Sequence, residues 1–199
     1  MTANTRKADH PVAEFFPGRW SPRAFTDAEM SEQDLLTILE AARWAPSAFN
    51  AQPWRFVYSL RNDESWDAIL GALVPANQSW AKNASALVVV ASQTHSVPPG
   101  KTEPVENGTH AFDTGAAWGY LALQAHISGF AAHAMAGFDT LAMAQAVGLP
   151  EGYVLHATVA VGQQGDPASL PEALQARELA SPRHPLALRA FHGKFKASV

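Results

Sequence analysis

The sequence predicts an α+β fold, and three observations carry that prediction. Helical and strand patterns alternate along the chain without a regular βαβ beat. "SALVVVAS" (85–92) is a short run, apolar from Ala86 to Ala91, the pattern of a strand buried on both faces. "HAFDTGAAWGYLALQAHISGF" (110–130) is rich in Ala and Gly and apolar all round, as befits a central helix approached closely from several sides.

The other elements follow in order. Ser31 is an N-cap with Asp34 in capping-box position. Leu35, Ile38, Leu39 and Ala42 then recur at helical spacing until Pro46 stops the helix. Trp54, Phe56, Tyr58 and Leu60 alternate with Arg55, Val57 and Ser59 as a strand, and 61–64 is a turn. A short helix is predicted over 66–74. The polar stretch 93–108, with Pro98-Pro99-Gly100, reads as a loop. "AAHAMAGFD" (131–139) is a strand leading into a helix over 140–147, which Asp139 caps and Gly148 closes. "YVLHATVAVG" (153–162) is a further strand. After the turn at 165–167, Pro171 opens a last helix, and a basic, proline-bearing tail follows.

Composition narrows the function. The 199 residues suit one domain spanning 1–199, and 47% hydrophobic with 16% charged residues is an ordinary globular balance. A net charge of −4 with scattered basic residues argues against nucleic acid as a partner. The absence of cysteine excludes disulfides and thiolate sites. The N-terminus lacks the apolar core of a signal peptide, and no apolar run approaches the roughly 18 residues of a membrane span, so no membrane association and a cytoplasmic location are expected.

Four constellations stand out. In "RWSPRAF" (19–25), Arg19, Ser21 and Arg23 could present donors to phosphate oxygens, or be surface residues. In "ARWAPSAFNAQPWRF" (42–56), Ser47, Asn50 and Gln52 lie between two prolines on a connection too short for a lid. They could line a planar heterocycle or bond their own backbone as a turn. Asn77 is a ligand donor or a helix cap. In "AHAMAGFD" (132–139), the small residues Ala134, Ala136 and Gly137 allow a flat ligand to approach the backbone, or simply make a tight turn. Arg183, in "SPRHPL", is isolated in the tail. No nucleophile elbow, P-loop, dinucleotide fingerprint or metalloprotease motif occurs, and the eight histidines lack metal-ligand spacing. No metal is expected, and the hard chemistry falls to a bound cofactor.

Taken in order, the four constellations resemble the nitroreductase family of FMN-dependent oxidoreductases. "RWSPRAF" resembles its R-x-S-x-R-x-F opening, "ARWAPSAFNAQPWRF" its A-P-S-x-x-N-x-Q-P-W-x-F signature, "SGFAAHAMAGFD" its G-F-D loop and "SPRHPL" its R-x-P element. The resemblance implies a central, mostly antiparallel sheet flanked by helices, in a domain-exchanged homodimer with an FMN site at the interface. It assigns Arg19, Trp20, Ser21, Arg23 and Arg183 to the phosphate and flavin edge, and Asn77 to the pyrimidine side. Ala134, Ala136 and Gly137 would lie near flavin N5, while Pro46, Ser47, Ala48 and Asn50 would come from the second subunit. NADH or NADPH would supply hydride through N5 to a small electrophilic acceptor such as a nitroaromatic or quinone, with no obligatory catalytic side chain. A specialised flavin enzyme of the same fold and a non-catalytic FMN-binding module are the alternatives. Two positions depart from the pattern: Trp80 and Ser181 stand where a basic residue is common, which implies fewer cations around the flavin. The short loop at 93–110 implies an open or differently covered pocket.

Overall fold

Four antiparallel strands form the central sheet in the order β1 (Trp54–Leu60), β2 (Ala86–Gln93), β6 (Tyr153–Gly162), β5 (Ala131–Met135). The computed structural model describes residues 6–196. Strand β2 is central and buried along nearly its whole length because helices cover both faces. Its Leu87 and Val89 pack with Ala160 against α3 (Trp66–Gly71), α4 (Pro75–Ala81) and α6 (Thr140–Ala146). Its Val88 and Val90 pack with Val159 and Val161 against α2 (Glu32–Arg43) and α5 (His110–Ile127). The mixed α+β architecture and its antiparallel sheet are as expected.

Local signals placed most elements. Ser31 Oγ accepts from Asp34 N–H at 3.1 Å, and Leu35, Ile38 and Ala42 turn inward from α2. Asp139 caps α6 by accepting from Leu141 and Ala142 N–H, both at 2.9 Å. Gly148 takes φ +60° just beyond that helix, a conformation a Cβ would disfavour.

Three expectations need correction. The helix foreseen over 66–74 ends at Gly71, because Leu73 bridges to Phe138 and Pro75 at the first helical position opens α4 as a separate helix. The loop at 93–108 contains a two-residue ladder, β3 (His95–Ser96) with β4 (Val105–Glu106). Helix α5 is not buried all round. Ala117, Leu121 and Ala125 face the core, while Phe112 and Ile127 are 81% and 58% exposed, since one chain supplies a layer for one face only. Two short helices, α1 (Phe15–Gly18) and α7 (Glu172–Gln175), complete the fold.

Candidate functional site

The segment after α1 and the C-terminal tail enclose a cavity of about 620 Å³. Arg19, Trp20, Ser21, Arg23 and Arg183, five of the residues singled out in the sequence, line it, and Arg6, Arg177, Ser181 and His133 join them. No carboxylate is among the lining residues, although five arginines are. Arg19 Nη1 donates to Ser21 Oγ at 3.1 Å, which orients both toward one place. Burial, followed by the repulsion of Arg183 and Arg6, lowers the Arg19 pKa. Converging cations of this kind give the lining a positive potential that suits an anion.

One buried acid, outside the lining, ties the surrounding segments together. The Glu178 side chain is fully buried, and its Oε1 accepts from Arg23 N–H at 2.6 Å and Ala24 N–H at 2.8 Å. Glu178 Oε2 lies 3.8 Å from Arg23 Nη1. The tail is thereby pinned to the arginine segment across 155 residues of sequence. His133, on β5, links the cavity to the sheet: its Nδ1 shares a 2.8 Å bond with the Pro22 carbonyl, and its ring packs on Trp80 at 4.7 Å. The carbonyl can only accept, so Nδ1 carries the proton. Burial first, with the nearby Arg23, lowers the His133 pKa and favours the neutral ring.

Beyond β5 the chain turns through Ala136 and Gly137. Gly137 O accepts from Val74 N–H and Asn77 Nδ2, both at 3.0 Å, and Ala136 O accepts from Phe138 N–H at 3.2 Å. The turn uses its carbonyls in this way rather than the Ala136 and Gly137 N–H groups. A Cβ at Gly137 would meet Asn77 Nδ2 at 2.7 Å, so the close approach requires glycine. Asn77 is thus neither an N-cap nor solvent-facing; it fastens the loop and keeps Oδ1 as an acceptor. Trp80 is buried against Phe25 and His133, so the expected cation is replaced there by core packing.

The turn holding Pro46, Ser47, Ala48 and Asn50 lies elsewhere. Phe49, Asn50 and Gln52 all take positive φ (53°, 55° and 46°). Ser47 Oγ accepts from Gln52 N–H at 3.0 Å, so the serine does brace its own backbone. The buried Asp113, in the first turn of α5, accepts from Ala48 N–H at 3.2 Å. The arginine segment meets the other end of α5, where a Cβ on Gly18 would stand 2.8 Å from His126 Nε2. Thirteen residues of helix from Asp113 to His126 separate these two ends by roughly 20 Å. Within one chain, the turn and the arginines do not converge.

Four residues were missed from sequence. Arg6 and Arg177 add to this cavity two cations that lie outside its motifs. Glu178 carries no local signal, because its partners are distant in sequence. Asp113 has a visible signal, a lone acid in the first turn of an otherwise apolar helix.

Comparison with known proteins agrees with this architecture. A Mycolicibacterium smegmatis protein described only as an uncharacterized 15.4 kDa protein in the ask 5′ region is 38% identical over 135 residues, 67% of this chain and 86% of that protein. A Rhodopseudomonas palustris (strain TIE-1) protein, provisionally named NADH dehydrogenase/NAD(P)H nitroreductase, is 29% identical over 150 residues, 68% of this chain and 76% of that one. A crystal structure described as an oxidoreductase containing FMN superposes with a TM-score of 0.94 at 44% identity and covers 100% of both chains. The description "Nitroreductase family" matches residues 17–163, the stretch from the arginine segment through the end of the sheet. That span covers most of the fold and three of the four sequence constellations, and the chain belongs to the nitroreductase family.

Proposed function

We propose that this chain is a single FMN-binding domain acting in the cytoplasm as an NAD(P)H-dependent oxidoreductase, with its sites completed in a homodimer. The observation that carries the reading is the cavity lined by five arginines and no carboxylate, with His133 of β5 in its lining and, three residues further along the chain, a turn that spends its carbonyls in hydrogen bonds. FMN is the ligand that has a phosphate for the first and a flat, electron-accepting ring for the second. When bound, it takes hydride from NADH or NADPH and passes it to an electrophilic acceptor such as a nitroaromatic or quinone.

The chain's own residues hold and orient. Arg19, Ser21 and Arg183 bind the phosphate, and Trp20 and Arg23 flank its approach to the ring. Ala136 and Gly137 offer N–H groups to a ring nitrogen, beside Ala134, and Asn77 Oδ1 accepts from a ring N–H while Nδ2 keeps the turn in place. No side chain serves as an obligatory acid or base. Pro46, Ser47, Ala48 and Asn50, roughly 20 Å from the arginines of their own chain, wall the site of the other subunit. Trp44, Phe49 and Phe112 are 69%, 77% and 81% exposed around that turn, which is apolar surface suited to a second copy.

The test is the identity of the flavin and the sharing of its site. Purified protein should be yellow and release FMN on denaturation. A mixed dimer of Arg19→Ala and Asn50→Ala subunits should contain one intact and one doubly damaged site, with about half of normal activity per heterodimer. Recovery of FAD, or of no flavin after reconstitution with FMN, rejects the cofactor. A mixed dimer no better than the average of its parents rejects the shared site.

A further inference from the structure

We infer that the N-terminal segment, through Arg6, is part of the phosphate site and contributes to selection of a phosphorylated flavin. This rests on the FMN reading above, but it concerns a residue outside the family-matched span, which begins at residue 17. Arg6 lines the same cavity as Arg19, Ser21, Arg23 and Arg183. Its Nη2 donates to Gly18 O at 3.1 Å and Arg19 O at 3.0 Å, so it grips the backbone that carries the first phosphate arginine. Its charge reaches the others: Arg6 and Arg183 each lower the Arg19 pKa, and Arg19 and Arg6 both lower that of His126, after burial in each case.

The same segment fastens the tail. Asp9 Oδ2 accepts from Leu186 N–H at 2.7 Å, three residues beyond Arg183. Arg6 therefore sits where the two ends of the chain meet, with the arginine segment on one side and the arginine tail on the other. Ser181 lines the cavity without adding charge, and Arg6 brings a cation to it from far away in the sequence. A phosphate placed there is held by Arg19 and Arg183, with Arg6 as a further positive charge in the same lining.

The experiment compares FMN and riboflavin, which differ by the phosphate alone, on wild-type protein and on Arg6→Gln and Arg6→Lys. Arg6→Gln should reduce the wild-type preference for FMN over riboflavin by roughly tenfold or more, the effect of losing one charge-assisted contact. Arg6→Lys should restore most of that preference, because it keeps the charge. The FMN affinity of Arg6→Gln should also depend less steeply on salt. If Arg6→Gln retains the wild-type preference, or loses FMN and riboflavin affinity equally, the inference is overturned and the FMN reading stands. If wild-type protein shows no preference for FMN, both fall together.

Discussion

The two ends of helix α5 hold their polar groups by different means. At the His126 end, the arginines are exposed or half-buried charges assembled from residues 6, 19–23, 177 and 183. Their order comes from long-range contacts, chiefly the Glu178 carboxylate on Arg23 and Ala24 N–H and the Asp9 carboxylate on Leu186 N–H. At the Asp113 end, the turn 46–52 is held locally, by three positive-φ residues, a Ser47–Gln52 brace and one buried acid. The first arrangement is electrostatic, a gathering of like charges. The second is a strained backbone whose hydrogen bonds are completed within a short stretch of chain and one helix. A binding group can therefore be prepared either by gathering charge or by storing strain, and the two should fail differently.

The largest expected effect is at the strained end. Asp113→Ala strips Ala48 N–H and Thr109 Oγ of their buried acceptor, and should cost about 2–3 kcal/mol of folding stability as well as activity. Urea unfolding checks it; an unchanged midpoint would mean that the positive-φ residues hold the turn unaided. At the charged end, Arg183→Ala should weaken FMN binding by about 1.5–3 kcal/mol, leave riboflavin binding nearly unchanged and barely move the unfolding midpoint. Arg183 lies on an exposed tail and spends Nη1 on its own Ser181 and Pro182 carbonyls. Equal loss of both flavins would shift its role from the phosphate to the fold.

A smaller effect sharpens the strain argument. Gln52→Gly removes a Cβ from a residue at φ 46° and should raise stability by up to about 1 kcal/mol, the left-handed penalty less the entropy of glycine. A loss larger than that would show that the Gln52 side chain, donating to Asn50 O at 3.1 Å, matters more than the strain.

Titration separates the two ends last. Burial is the first cause that lowers the pKa of His126 and His133 at the arginine end, and of His156, bonded to Ser92 Oγ, at the other. Each is favoured neutral in the folded chain, so the unfolded chain binds more protons once the pH drops below 6.5. The contribution of these histidines to thermal stability should be flat above that pH, fall as the pH drops from there toward the lower folded values, and level off below them. His133→Gln and His156→Gln should each flatten part of that slope. A slope unchanged by both would place the acid lability in other groups.

Much of the fold was legible because its signals are local. Ser31 and Asp139 cap the helices they precede, Pro46 and Gly148 end helices, and the apolar run at 85–92 can only be a strand shielded on both sides. The break before Pro75 was legible too, since a proline at that position starts a helix more readily than it continues one, yet the apolar spacing of 66–74 masked it.

The sequence by itself determined which short segments would carry the polar and backbone groups: Arg19–Arg23, the turn at 46–50, Ala134–Gly137 and Arg183. These are patterns of neighbouring residues, and neighbouring residues share a local conformation. Only the tertiary structure decided what meets what. It brought Arg6, Arg177 and Glu178 to the arginine segment, turned Asn77 onto Gly137 and buried Trp80 where a cation was expected. It also set the turn and the arginines at opposite ends of one helix. Contacts across 155 residues depend on how the layers pack, and a charge is expressed through the neighbours that packing gives it.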